Sequence, residues 1–199
     1  MVVEQTIEVA ADGFGQSLEG ESFCEDVRSH ILGSPELYLV YLGKSCIAFA
    51  AIENLKAEGI PVLYLSGLVV KADYQGNGLM KKLITYEVKE SKPEILVART
   101  QNPCILDLMK GFCKKDVLYP YSGIPQGKCR FVADFLSSRF LKMKNFNPGA
   151  LIDIGTYGRC LYGNGMPKSY YQESNNFFER INSERGDSIL FIGEVNYEE

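Results

Sequence analysis

Gln75-Gly76-Asn77-Gly78 is the segment whose residue types and spacing most clearly permit chemistry. Two glycines one residue apart stand between a strand-like run, Leu68-Val69-Val70, and a helix-like run that begins at Leu79. Glycine lets the backbone turn at positive φ and lets a ligand approach the chain closely. The free N–H groups at the start of the following helix then face that ligand, and the helix dipole favours negative charge there. A pyrophosphate fits such a turn, and Lys81 and Lys82, one turn into the helix, can add phosphate contacts. The turn is neither a Walker loop, since GxxxxGK[ST] is absent, nor a full dinucleotide fingerprint, since the third glycine is missing. A turn with a purely structural role stands beside the phosphate reading at this stage.

The elements around the turn follow from periodicity. Thr6 to Ala10 alternate as a short first strand broken by Gly13 and Gly15. Leu18, Phe23, Val27 and Ile31 stripe a helix over 17–32, stopped by Gly33-Ser34-Pro35. Three strand-like runs follow, Leu37 to Leu42, Ser45 to Leu55 and Val62 to Val70, with tight turns at Gly43-Lys44 and Glu58-Gly59. Such short connections predict an antiparallel meander. Leu79, Met80, Leu83, Ile84 and Val88 then mark one face of a helix that Pro93 ends. Glu94 to Ala98 reads as a buried strand, and Asn102-Pro103 has the cap-then-proline grammar of a helix start, with Gly111 at its end. The order β-α-β-β-β-α-β-α predicts an α+β (α/β layered) protein with a mixed, mostly antiparallel sheet flanked by helices. Beyond it, 130–140 and 174–183 read as helices, 145–167 as a glycine-rich loop and Ser188 to Val195 as a strand.

Bulk properties narrow the classes. The 199 residues suffice for one domain with a substantial core, and the formal charge of −4 argues against non-specific nucleic-acid binding. Charge is uneven, with eight acids and a single arginine between Glu4 and Glu36 and the lysines gathered later. Six scattered cysteines form no CxxC pair, so no metal site is expected. No secretory signal is expected from Met1-Val2-Val3-Glu4, and no apolar run approaches about 18 residues, so a membrane span is not expected and a reduced, cytoplasmic setting fits.

The segment Val70-Lys71-Ala72-Asp73-Tyr74-Gln75-Gly76-Asn77-Gly78 resembles the cofactor motif of the GNAT acyltransferase family, whose core is [QR]-x-x-G-x-[GA]. Gln75 and Gly78 fill its first two fixed positions; Met80 stands where Gly or Ala is preferred, and Ala72 replaces a frequent proline. Asn102 to Phe112 is similar to the family's later strand–helix unit, and the resemblance spans roughly Thr6 to Tyr119. It implies a GNAT-like acyl-CoA binding core at 1–119, an insertion and acceptor cap at 120–187, and the final strand of the core sheet with the tail at 188–199. The implied cofactor is acetyl-CoA or another acyl-CoA. Leu68 and Val70 would pair with pantetheine amides, Gln75, Gly76, Asn77, Gly78 and Leu79 would cradle the pyrophosphate beside Met80 and Lys81, and Asn102 would stand near the thioester. A backbone N–H near Val69 would polarise the carbonyl.

The same resemblance implies direct attack of an amine on the thioester. Glu53 is the first choice of base and Ser66 a residue to position water. A surface carboxylate with no role is the plainer reading of Glu53. Where the family often has a tyrosine to protonate the thiolate, this chain has Met109, with Tyr119 or Tyr121 as substitutes and Cys104 or Cys113 more remote. His30, the only histidine, reads as a surface or core residue before a catalytic one. The resulting expectation is an N-acyltransferase acting on a small-molecule or peptide amine, with no nucleic-acid or membrane partner; a homodimer is allowed but not required. The alternative is a non-catalytic acyl-CoA sensor or interaction protein on the same fold, and a transferase acting on proteins is a third reading.

Overall fold

The computed structural model describes residues 2–197; Met1, with which the signal-segment reading begins, and Glu198 and Glu199 of the 188–199 stretch lie outside the described residues. Helices α1 (Val2–Phe14) and α2 (Glu21–Gly33) precede strands β1 (Glu36–Leu42), β2 (Ser45–Ala57) and β3 (Ile60–Val70). Helix α3 (Leu79–Ser91), strand β4 (Ile95–Thr100), helix α4 (Pro103–Lys110) and strand β5 (Cys113–Tyr119) follow. The remainder holds α5 (Gly127–Phe135), the two-residue strands β6 (Phe146–Asn147) and β7 (Ile152–Asp153), α6 (Gln172–Phe178) and β8 (Ser188–Val195). The strand order is β1-β2-β3-β4-β8-β7-β6, with β5 also paired to β8. The β1–β2, β4–β8, β5–β8, β6–β7 and β7–β8 ladders are antiparallel. The helical connection through α3 is the crossover that a parallel neighbour requires, so the sheet is mixed and mostly antiparallel, as expected.

The expected first strand at Thr6 to Ala10 is instead the middle of helix α1. The alternation there is only Ile7–Glu8–Val9, whereas Ile7, Ala10, Ala11 and Phe14 keep helical spacing and all but Phe14 are buried. Two alanines favour the helix intrinsically, and Thr6 satisfies its hydroxyl on Val3 O, 2.7 Å away. Gly13 lies within this helix, which ends at Gly15 (φ +63°) with Gln16 N–H donating to Ala11 O at 2.8 Å. The second helix starts at Glu21 and not at Ser17, because Ser17 closes a turn by accepting Gly20 N–H on its carbonyl and Glu19 N–H on its hydroxyl. Strand β5 was not foreseen. Its exposed Lys114-Lys115-Asp116 obscures the pattern, and its pairing with β8 is irregular between Cys113 and Leu118. The stretch 130–140 is helical as expected, although α5 stops at Phe135 and a π-type turn, Leu136–Phe140, completes it.

Two compact units are present. The first comprises Met1–Glu53, Leu65–Ser91 and Tyr162–Gly165; the second comprises Asn54–Tyr64, Lys92–Leu161 and Met166–Glu199. In the first, α1 and α2 bury Val9, Ala10, Phe23 and Ile31 against Phe49 of β2 and Val69 of β3. In the second, Cys129, Val132, Ala133 and Leu136 pack on Ile95, Val97, Leu190 and Ile192. Buried aliphatic side chains of this size each contribute roughly 1.5–3 kcal/mol, which is what makes the strand ends rigid platforms for the loops that follow them.

Candidate functional site

The glycine turn leaves β3 inside the first unit. Lys71 N–H still donates to Ile47 O at 2.9 Å, so β3 is held on β2 up to its last residue. The chain then makes one 3-10 turn, Ala72–Tyr74, closed by Tyr74 N–H to Lys71 O (2.9 Å) and Gln75 N–H to Ala72 O (3.2 Å). Asp12, at the end of α1, accepts Ala72 N–H at 2.6 Å. The Gln75 carboxamide donates to Val70 O at 3.0 Å and to Gly13 O at 3.4 Å. The motif glutamine thus braces the turn against both β3 and α1. Asn77 donates to Tyr74 O (3.2 Å) and Gln75 O (3.4 Å), fixing the turn from inside.

Gly76 (φ +76°) and Gly78 (φ +71°) both occupy the left-handed region, which explains the spacing of the glycines. A Cβ at either position would meet nothing within 4 Å. Space is therefore not what excludes a side chain; the backbone conformation is, and the open volume above it remains for another molecule. Helix α3 follows at once, closed by Lys82 N–H to Gly78 O at 3.0 Å. The N–H groups just before that bond are the unpartnered donors of a helix start, and they lie next to the exposed turn. Lys81 and Lys82 are exposed, while Leu79 and Met80 are half-buried.

The other expected residues of this unit sit on β2 and β3. Leu68 and Val70 are half-buried and flank the buried Val69. Ser66 donates to Ala51 O at 3.0 Å, so its hydroxyl proton is engaged by the sheet. Glu53 is half-buried on the same face of β2 as Ala51, two residues along, and burial raises its carboxyl above the usual carboxylate range.

Asn102 and Tyr119 belong to the second unit. Asn102 caps α4, its side-chain oxygen accepting Cys104 N–H at 2.9 Å and its own N–H donating to Thr100 Oγ1 at 2.8 Å. Tyr119 is buried in the cluster around Cys129 and Val132, and that burial raises its phenol pKa. Met109 on α4 is fully buried.

The sequence reading missed the bracing residues Asp12 and Gly13, since nothing local marks a helix end as the partner of a turn 60 residues later. It also missed the first unit's use of 162–165. There Gly163 N–H donates to Phe14 O at 2.9 Å, and the rings of Phe14 and Tyr162 lie 5.1 Å apart. Among the described residues, no group of three or more His, Cys, Asp or Glu is arranged to hold a metal ion, and no helix is long and apolar enough to cross a membrane.

Residues 6–102 match the model of the acetyltransferase (GNAT) family, whose members are typically acyl-CoA-dependent acetyltransferases. No curated protein matches the chain. Among solved structures, it is similar to a protein from Pyrococcus horikoshii OT3 (20% identity, 56% of this chain and 81% of that one, TM-score 0.47). It is also similar to a protein from Desulfovibrio desulfuricans assigned to the GNAT family (17% identity, 60% and 83%, TM-score 0.45). A third is the PaiA N-acetyltransferase from Thermoplasma acidophilum, solved in complex with coenzyme A (18% identity, 57% and 85%, TM-score 0.43).

Proposed function

We propose that the chain transfers an acetyl or other acyl group from acyl-CoA to an amine acceptor. The observation that carries this reading is the open turn at Gly76 and Gly78, with both glycines at positive φ, nothing within 4 Å of where a Cβ would stand at either, and the start of α3 behind them. An anionic pyrophosphate suits that place because the helix start supplies N–H donors and a favourable dipole. Lys81, exposed one turn in, adds a cation. By the family resemblance, the peptide groups of Leu68 and Val70 are assigned to the amides of pantetheine and the N–H near Val69 to the thioester carbonyl, which gains negative charge as the amine attacks. In the second unit, Asn102 commits its side-chain oxygen to capping α4. The acceptor is a small-molecule amine or a peptide amine, with 120–187 as the segment that shapes its binding. Calorimetric titration with acetyl-CoA, followed by thiol release on a panel of primary amines, tests the proposal. Binding with turnover supports it, and binding to no acyl-CoA removes it.

A second reading, a non-catalytic acyl-CoA sensor, is favoured by one observation. Where the family resemblance implies a tyrosine on α4, the fully buried Met109 offers no proton. Thiol release faster than the uncatalysed rate with any amine excludes that reading.

A further inference from the structure

Strand β1 (Glu36–Leu42) is the last strand at its end of the sheet, with β2 as its one strand neighbour. Among the described residues, the backbone of Leu37 to Leu42 is bonded to no turn, loop or helix. The segment 6–10, expected as a strand, is helical and supplies no neighbour for it. The outer edge of β1 therefore carries a row of N–H and C=O groups that a further strand can take up. Folded chains blunt such edges by keeping them short or by placing Lys, Pro or a bulge on them. At its other end the sheet finishes on β6, a strand of two residues. Strand β1 has seven, Glu-Leu-Tyr-Leu-Val-Tyr-Leu, with no Lys, Pro or Gly among them and Glu36 as the one charge. The irregularity in its ladder does not protect it. Val40 faces Ala48 and Tyr41 faces Cys46, so the extra residue, Ile47, belongs to β2 and β1 runs on without a bulge.

Helices take up both faces of β1 and leave its edge open. Leu37 and Leu39 pack against the cluster of α1 and α2, and Tyr41 donates to Gln5 of α1 at 2.7 Å. On the opposite face Tyr38 donates to Glu87 of α3 at 2.6 Å. Exposed apolar side chains stand at the two ends of the strand. Leu32, in the last turn of α2, is 70% exposed, and Tyr41 and Leu42 are 46% and 58% exposed.

We propose that the edge of β1 pairs with the β1 edge of a second copy of this chain, antiparallel about a two-fold axis, so that two first units share one continuous sheet. The proposal is independent of the acyl-CoA reading. A two-fold that uses the whole strand sets Leu39 opposite Leu39 of the second copy, Tyr38 opposite Val40, Leu37 opposite Tyr41 and Glu36 opposite Leu42. Opposite residues share a face, so an apolar or aromatic side chain meets another at every pair except the last. The start of each strand, with Leu32 beside it, comes to the end of the other, with its Tyr41 and Leu42. Lys44 is exposed and follows Leu42 by two residues, which brings its charge toward Glu36 of the second copy. A second copy gains each of these contacts twice, and that self-complementarity selects it over an unrelated strand.

Sedimentation equilibrium of the tag-free full chain, from micromolar to a few hundred micromolar, tests the proposal; the expected result is a reversible dimer. Leu42→Glu sets a carboxylate opposite Glu36 at both ends of the ladder and is expected to weaken the dimer about tenfold. Leu42→Lys removes the same apolar side chain but sets a cation opposite Glu36, and is expected to stay within about threefold of the wild type. Because Leu42 is exposed, neither change disturbs the core, and circular dichroism at the lowest concentration checks that both variants are folded. A wild type that is monomeric throughout overturns the proposal. So does a dimer indifferent to Leu42→Glu, whose interface then lies elsewhere, or one that Leu42→Lys weakens as much as Leu42→Glu.

Discussion

The turn at Gly76–Gly78 and the corner at Gly186–Asp187 are both built on glycines at positive φ beside polar groups, yet one faces outward and the other is closed on itself. Around Gly76 and Gly78 a Cβ would find nothing within 4 Å. At Gly186 (φ +85°) it would collide with the backbone, 2.4 Å from Gly158 N and 2.6 Å from Arg159 N. The adjoining Asp187 is buried and fully engaged. It accepts Gly155 N–H (2.9 Å) and Asn182 N–H (3.0 Å), and takes Arg185 at two atoms, 2.8 and 2.6 Å away. Gln101 threads the same corner, donating to the carbonyls of Asp187 (3.0 Å) and Ser183 (3.2 Å) and accepting Leu161 N–H (3.0 Å). One glycine-rich place has its polar groups satisfied by the chain, as a buried structural corner must. The other leaves the space over its two glycines open, at the start of a helix. Binding and stability should therefore separate between them.

The largest stability effect is expected at the closed corner. Gly186→Ala must displace backbone as well as adopt an unfavourable φ, and is expected to cost more than about 3 kcal/mol, read as a fall in the denaturation midpoint. Asp187→Asn follows, at roughly 2–3 kcal/mol, because it removes the charge that Arg185 and two N–H groups serve. Arg185 holds the Asp187 carboxyl at about 2, against an ordinary value of 3.8. A depressed carboxylate stabilises the fold above its unfolded pKa, and that contribution, about 2 kcal/mol, is lost as pH falls from about 4 through about 2. Acid titration of stability should show this limb in the wild type and a flatter one in Asp187→Asn.

At the open turn the order reverses. Gly78→Ala is expected to cost only about 1–2 kcal/mol, since it meets no atom and suffers only its dihedral strain, yet to weaken acetyl-CoA binding at least tenfold. Lys81→Ala should leave the midpoint unchanged and weaken binding a few-fold, by a margin that shrinks as salt rises. A Gly78→Ala variant that loses as much stability as Gly186→Ala would erase the distinction between the two regions.

The same contrast explains what the sequence made legible. The meander, α3, the capped start of α4 and β8 were readable because each announces itself locally, through period, tight turns or an Asn-Pro start. The glycine turn was readable because a strand, two glycines and an amphipathic helix are consecutive. The closed corner was not, since Gln101, Leu161 and Asp187 meet only in three dimensions. Helix α1 was misread because Ile7 to Val9 mimic a strand for three residues, and the decisive partners of that helix, Phe49 and Val69, lie far along the chain.

The most direct test of the account is calorimetric titration of the wild type and Gly78→Glu with acetyl-CoA, with the denaturation midpoint of each recorded. Micromolar binding by the wild type, abolished in a Gly78→Glu protein that is still folded, is the predicted result. A folded Gly78→Glu protein that binds as tightly as the wild type, or a wild type that binds no acyl-CoA, would contradict it.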